Sequence, residues 1–200
     1  MSGMEESKLR QDLVSVTLKV AERGWAPGSS GNTSVRIPHT NNFLIKATGE
    51  AMTWTEPNAI LKIDNNRNIL TGVGKPSKEV GFHLGIYSVR PEVGAVIHAH
   101  PPYATAWAIA GKVFPLVTGP SKIYLKKIPI VPPAPGGSVE LAKMVTDQFS
   151  DENVRIVLMQ GHGLVGAGKT IFEAFNYVDW AEDAARAAVY TGQIASIPKT

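Results

Sequence analysis

The sequence predicts a single α/β domain in which helices cover a β-sheet, and three observations carry that reading. Segments with strand patterning alternate with segments of helical periodicity along the whole chain. Two hundred residues, 44% hydrophobic and 18% charged, suffice for one full hydrophobic core. Gly and Pro are spread evenly, with no repeat, linker or low-complexity tract, so residues 1–200 read as one unit.

The elements follow in order. Leu9, Leu13, Val16, Leu18 and Val20 recur near helical spacing and Gly24 is a natural stop, which predicts an opening helix over 5–24 against one face of the sheet. Pro27–Asn32 is a Gly/Ser loop, and residues 33–37 alternate like a strand. Gly31 and Asn32 sit where backbone amides have little steric cover, so this turn either cradles an anion or is a plain tight turn. Asn42–Ala47 is a second strand, and Thr48–Gly49 at its end admits the same two readings. A helical turn is expected over 53–60, then a hairpin pairing 61–64 with 69–70.

Residues 80–88 read as a helix with Ser77 near its N-cap. A helix N-terminus attracts phosphate and Lys78 reinforces that, while Glu79 either complements the helix dipole or has another task. His83, between Phe82 and Leu84, reads as a packed histidine. Residues 93–100 form a strand that Pro101–Pro102 ends, and 103–110 a small-residue helix. Residues 115–135 read as extended, with a short strand at 127–131, before a helix at 139–149 and a buried strand at 155–159. Gln160–Gly168 is glycine-rich, with His162 at a strand end, and reads either as a segment that comes close to another element or as a glycine turn bearing a histidine. The last helix is expected over 169–190, with Asp179, Glu182 and Asp183 on its solvated side.

Several function classes drop out. The absence of cysteine removes disulfides, thiolate metal sites and cysteine nucleophiles. The net charge of +3 comes from scattered Lys and Arg with no basic stripe, which argues against nucleic acid. No stretch has the length of a membrane span and the first residues lack a signal pattern, so a cytoplasmic protein is the expectation. What remains is a histidine chemistry. On an extended backbone His98 and His100 point to one face, as two ligands of a divalent metal must, or else they line a polar strand face. His162, flanked by glycines at a strand end, is placed to come close from a distant segment.

Taken together, GNTSVR (31–36), ATGEAM (47–52), KPSKEVGFHLGIYSVRPEVGAVIHAHPPYATA (75–106), APGGSVELA (134–142) and GHGLVGAGKTIFEAF (161–175) resemble the class II aldolase/adducin family. The resemblance implies a three-layer α/β/α fold with a mostly antiparallel central sheet. It implies a Zn²⁺ (alternatively Mn²⁺, Co²⁺ or Fe²⁺) held by His98, His100 and His162, with Glu79 moving protons beside it. The phosphate of a sugar-phosphate substrate maps to Gly31, Asn32, Thr48, Gly49 and Ser77, with Lys78 replacing the usual second serine. The implied reaction is aldol cleavage of a phosphorylated ketose of the L-fuculose 1-phosphate type, giving dihydroxyacetone phosphate and an aldehyde through a metal-stabilised enediolate. The family also holds epimerases, dehydratases, decarboxylases and non-catalytic adducin heads. Its enzymes are commonly homotetramers with sites between subunits. A family tyrosine contributed by the neighbouring subunit to the aldehyde half falls here near Gly119, and Tyr124 is the nearest tyrosine.

Overall fold

The computed structural model describes residues 3–195. Its helices are α1 (Gly3–Glu22), α2 (Val80–Val89), α3 (Pro102–Ala110), α4 (Val139–Phe149) and α5 (Ile171–Ala195). Its strands are β1 (Asn32–Arg36), β2 (Asn42–Lys46), β3 (Ile60–Asp64), β4 (Ile69–Thr71), β5 (Ala95–Ala99), β6 (Ile130–Val131), β7 (Ile156–Met159) and β8 (Gly163–Gly168). They form one eight-stranded sheet in the order β4-β3-β2-β1-β5-β8-β7-β6. Every neighbouring pair is antiparallel except β6–β7. The expected opening helix, the strands at 42–47 and 155–159, and the helices at 80–88, 103–110 and 139–149 all form, within a few residues of their expected ends.

Strand periodicity sorts the side chains into two cores and yields the three layers. On one face, Leu13 and Val16 of α1, Ala104 of α3 and Val178 of α5 pack on Val35, Ile97 and Leu164. On the other, Phe82 and Ile86 of α2 and Leu141 and Val145 of α4 pack on Ile45, Val96 and Val157. Ala95, Ile97 and Ala99 of β5 face the first core and Val96 faces the second, which puts His98 on the α2/α4 side. Among the described residues, no helix is long and apolar enough to cross a membrane.

Four local expectations change. Gln160–Gly168 is a turn only up to His162, and β8, with three glycines among its six residues, is a fully buried strand. Helix α5 lies directly on it: a Cβ at Gly166 would stand 2.8 Å from Val178 Cγ2 and one at Gly168 2.6 Å from the Ala174 nitrogen. Turn-like composition here records close helix–sheet packing. Ser121–Leu125 makes a π-helical turn inside the stretch expected to be extended. The N-cap of α2 is Glu79 rather than Ser77, whose hydroxyl instead accepts the Glu79 amide at 3.2 Å. Glu182 is buried, not solvated, and its carboxylate accepts the amides of Tyr103 (3.0 Å) and Ala104 (2.8 Å). It thereby caps the first turn of α3, whose amides no intrahelical carbonyl can serve.

Candidate active site

The three histidines reach one point by different routes. His98 stands on β5 directly opposite Asn32 of β1, so the two share a face. His100 lies just past the end of β5, where its amide donates to the Trp25 carbonyl at 2.7 Å. His162 ends the turn between β7 and β8, its amide bonded to the Met159 carbonyl at 3.0 Å. The chain then passes tightly against β5. A Cβ on Gly163 would stand 2.6 Å from the Ala99 carbonyl oxygen and 2.8 Å from His100 Cδ2, so only glycine permits this approach. The ring centroids end up 4.6 Å (His98–His100), 4.8 Å (His98–His162) and 5.4 Å (His100–His162) apart. One nitrogen from each lies within 4.8 Å of the other two.

Glu79, 6% exposed, faces this cluster. Its Oε2 is 3.3 Å from His98 Nε2 and its Oε1 is 3.4 Å from His162 Nε2. Asn32 Nδ2 donates to Oε2 at 2.8 Å. The His98 tautomer is fixed by the Leu164 carbonyl, 2.9 Å from Nδ1, because a carbonyl only accepts. Nδ1 therefore carries the hydrogen and Nε2 a bare lone pair. That buried Nε2 has no hydrogen-bond partner. A lone pair facing a carboxylate oxygen with no hydrogen between them is repulsive, and a cation relieves it. Burial pushes the His98 imidazole down to about 3, with His162 adding to the effect. Burial likewise lowers His100 to about 3. Both rings are neutral at neutral pH, which is the ligating form. The residues fit a divalent metal.

A cavity of about 470 Å³ opens beside the cluster, and Gly31, Asn32, Thr48, Gly49, Ser77, Lys78 and Glu79 line it together with His98, His100 and His162. The structure therefore brings Glu79, the three histidines and the residues of the expected phosphate pocket to one place. The join is a bridge between Ala47 and Pro76, with the Thr48 amide bonded to the Lys75 carbonyl at 2.9 Å. That bond commits the Thr48 amide. Gly31 adopts φ +75°, and a Cβ there would stand 2.9 Å from the His98 carbonyl oxygen. Tyr124 is not among the lining residues; its ring stacks on Trp180 at 4.4 Å.

Sequence reasoning missed Lys46. It is 1% exposed yet lines the cavity, and its ammonium donates to the carbonyls of Ala47 (3.0 Å) and Glu50. Burial holds its pKa below the usual lysine value. Its signal was a charge placed inside the apolar run Phe43–Ala47.

Comparison with known proteins places the chain among relatives of one family. The chain is 34% identical over 165 residues to an L-fuculose phosphate aldolase of Methanococcus maripaludis, spanning 82% of this chain and 87% of the relative. It is 31% identical over 186 residues to a 3-oxo-tetronate 4-phosphate decarboxylase of Escherichia coli, spanning 90% and 86%. A solved L-fuculose 1-phosphate aldolase superposes with a TM-score of 0.87 at 27% identity, covering 97% of this chain and 90% of that one. The family model of the class II aldolase and adducin N-terminal domain matches residues 11–189, and the chain belongs to that family.

Proposed function

We propose that this chain is a metal-dependent carbon–carbon lyase acting on a phosphorylated sugar. The observation that carries the reading is the facing pair of acceptors, the bare Nε2 of His98 and the Glu79 carboxylate, inside a ring of three imidazoles. His98, His100 and His162 would hold the metal; three nitrogen ligands favour Zn²⁺, with Mn²⁺, Co²⁺ and Fe²⁺ as the other candidates. When bound, the cation supplies positive charge that stabilises the oxyanion formed as the carbon–carbon bond breaks.

The chain's own residues supply the rest. Gly31, Asn32, Thr48, Gly49 and Ser77 offer amides and hydroxyls to the phosphate, and Lys78 adds a point charge. Gripping the phosphate at one end of the cavity fixes the reacting carbons at the other. Glu79, held by Asn32 and by the entry of α2, takes or returns a proton at the reacting carbon. The first reading is aldol cleavage of a ketose phosphate of the L-fuculose 1-phosphate type, as in the names of the methanococcal relatives. The second is decarboxylation of a sugar-acid phosphate. It is favoured by the 31% identity over 186 residues to a 3-oxo-tetronate 4-phosphate decarboxylase. The same proposal places the protein in the cytoplasm as a homotetramer with sites between subunits. The exposed apolar Trp54, Val73 and Ile123 offer surface for such contacts.

The test is turnover by metal-loaded protein of L-fuculose 1-phosphate and of 3-oxo-tetronate 4-phosphate, read as dihydroxyacetone phosphate or CO₂. Release of either product, lost in Glu79→Gln with metal content intact, is expected. Bound metal with no turnover of any sugar phosphate would leave a metal-stabilised binding protein instead.

A further inference from the structure

We infer that His83 is a positioning residue for Glu79, acting through Asn32 in a buried, one-way chain of hydrogen bonds that begins at Tyr87. The inference rests on the proposed role of Glu79 as the proton-moving group. Two periodicities build the chain. Glu79, His83 and Tyr87 are spaced four apart and form one stripe along the start and body of α2. Asn32 and Ser34 are spaced two apart and share one face of β1. Where stripe meets face, the side chains interleave as Glu79–Asn32–His83–Ser34–Tyr87. All five are buried.

The contacts run without a gap. Asn32 Nδ2 lies 2.8 Å from Glu79 Oε2, and Asn32 Oδ1 meets His83 Nε2. His83 Nδ1 lies 2.7 Å from Ser34 Oγ, which lies 2.8 Å from the Tyr87 hydroxyl. The direction of every bond then follows from the carboxylate. A carboxylate accepts, so Asn32 must turn its NH₂ toward Glu79 and its oxygen toward His83. An amide oxygen accepts, so His83 Nε2 must carry the hydrogen. Burial pushes the His83 imidazole down to about 3, so the ring is neutral and its Nδ1 is bare. The Ser34 hydroxyl donates to that Nδ1 and accepts from Tyr87. All donors thus point toward Glu79, and a polarised chain of this kind strengthens the last bond in it. With the other His83 tautomer, Asn32 would present its oxygen to the carboxylate, and two acceptors would face each other. The fully buried histidine that sequence patterning assigns to packing therefore sets which way the Asn32 amide points and where the Glu79 carboxylate rests.

The test reads position as well as rate. Nitrogen-15 NMR of the metal-loaded wild type should show His83 as the Nε2–H tautomer; an Nδ1–H tautomer overturns the inference. Crystal structures of metal-loaded wild type and His83→Leu should show the Glu79 carboxylate displaced from Asn32 in the variant, with all three imidazoles in place. An unmoved carboxylate in the folded variant overturns it. On the substrate that turns over, His83→Leu should lower kcat by about 10- to 100-fold with KM within about twofold, the size expected when a supporting hydrogen bond behind a metal site is removed. His83→Gln, which keeps an N–H at a similar reach, should restore part of that loss; a uniform loss of stability with unchanged kcat would mark a packing role and overturn it. If no sugar phosphate is turned over while the tautomer and the carboxylate shift are seen, the lyase reading fails and the positioning role stands.

Discussion

Two parts of the cavity lining are built differently. Around the imidazoles, His98 lies on a central strand, and His100 and His162 are pinned by backbone bonds to Trp25 and Met159. Gly163 lets β8 close against them. In the rest of the lining, Gly31, Thr48, Gly49, Ser77 and Lys78 sit on loops, and an isolated bridge between Ala47 and Pro76 joins two of these. On the proposed reading, the metal is held by a central strand and the turns at strand ends, and the phosphate by loop segments that tolerate change. A chain of this build can be altered in substrate through its loops while its imidazole geometry is kept.

The comparison predicts severe effects in one part and graded ones in the other. On the proposed reading His98→Ala removes a metal ligand, so bound metal and all turnover should vanish; full zinc occupancy by elemental analysis would break the scheme. Acid should come next. His83, His98 and His100 all have folded pKa values near 3 against an ordinary 6.5, so below 6.5 the unfolded chain binds more protons. Stability of the metal-free protein should be level above pH 6.5 and fall as pH drops toward 3, by at most about 1.4 kcal/mol per pH unit for each histidine. Denaturant melts between pH 7 and 4 measure this, and a flat profile would mean that the imidazoles are not held neutral. Added metal should move the fall to lower pH, since ligand binding to the folded state stabilises it.

Gly163→Ala sharpens the contrast. The added methyl meets the Ala99 carbonyl and the His100 ring, and should cost about 1–3 kcal/mol of stability and weaken metal binding. Unchanged melting and metal content would show that β8 can withdraw freely. The smallest effect is expected in the loops. Ser77→Ala should raise KM for a phosphorylated substrate about fivefold, in line with about 1 kcal/mol for one lost hydrogen bond, with metal content unaltered. An equal rise for the unphosphorylated analogue would take Ser77 out of the phosphate grip.

Much of this was legible before folding. A period of two put His98 and His100 on one face, and the helix after Ser77–Glu79 formed where its pattern placed it. The glycine-rich β8 was not legible as a strand. Local propensity records what a residue does alone, whereas its six positions are strand because α5 packs on one face, Val165 and Ala167 join the α2/α4 core on the other, and both edges are paired. Glu182 looked solvated for the same reason: nothing nearby in sequence announces that the amides of Tyr103 and Ala104 need a carboxylate from far along the chain.

By itself, then, the sequence determined the residue types available for chemistry, histidine and carboxylate in a cysteine-free chain, and the periodicities that gave each element a face. Tertiary structure alone decided which faces meet. It set β1 beside β5, so that Asn32 stands against His98, and brought the α2 stripe down onto β1, so that His83 reaches the Asn32 amide. Those decisions are invisible along the chain because periodicity fixes where a side chain points, while its partner is fixed by long-range packing between segments tens of residues apart.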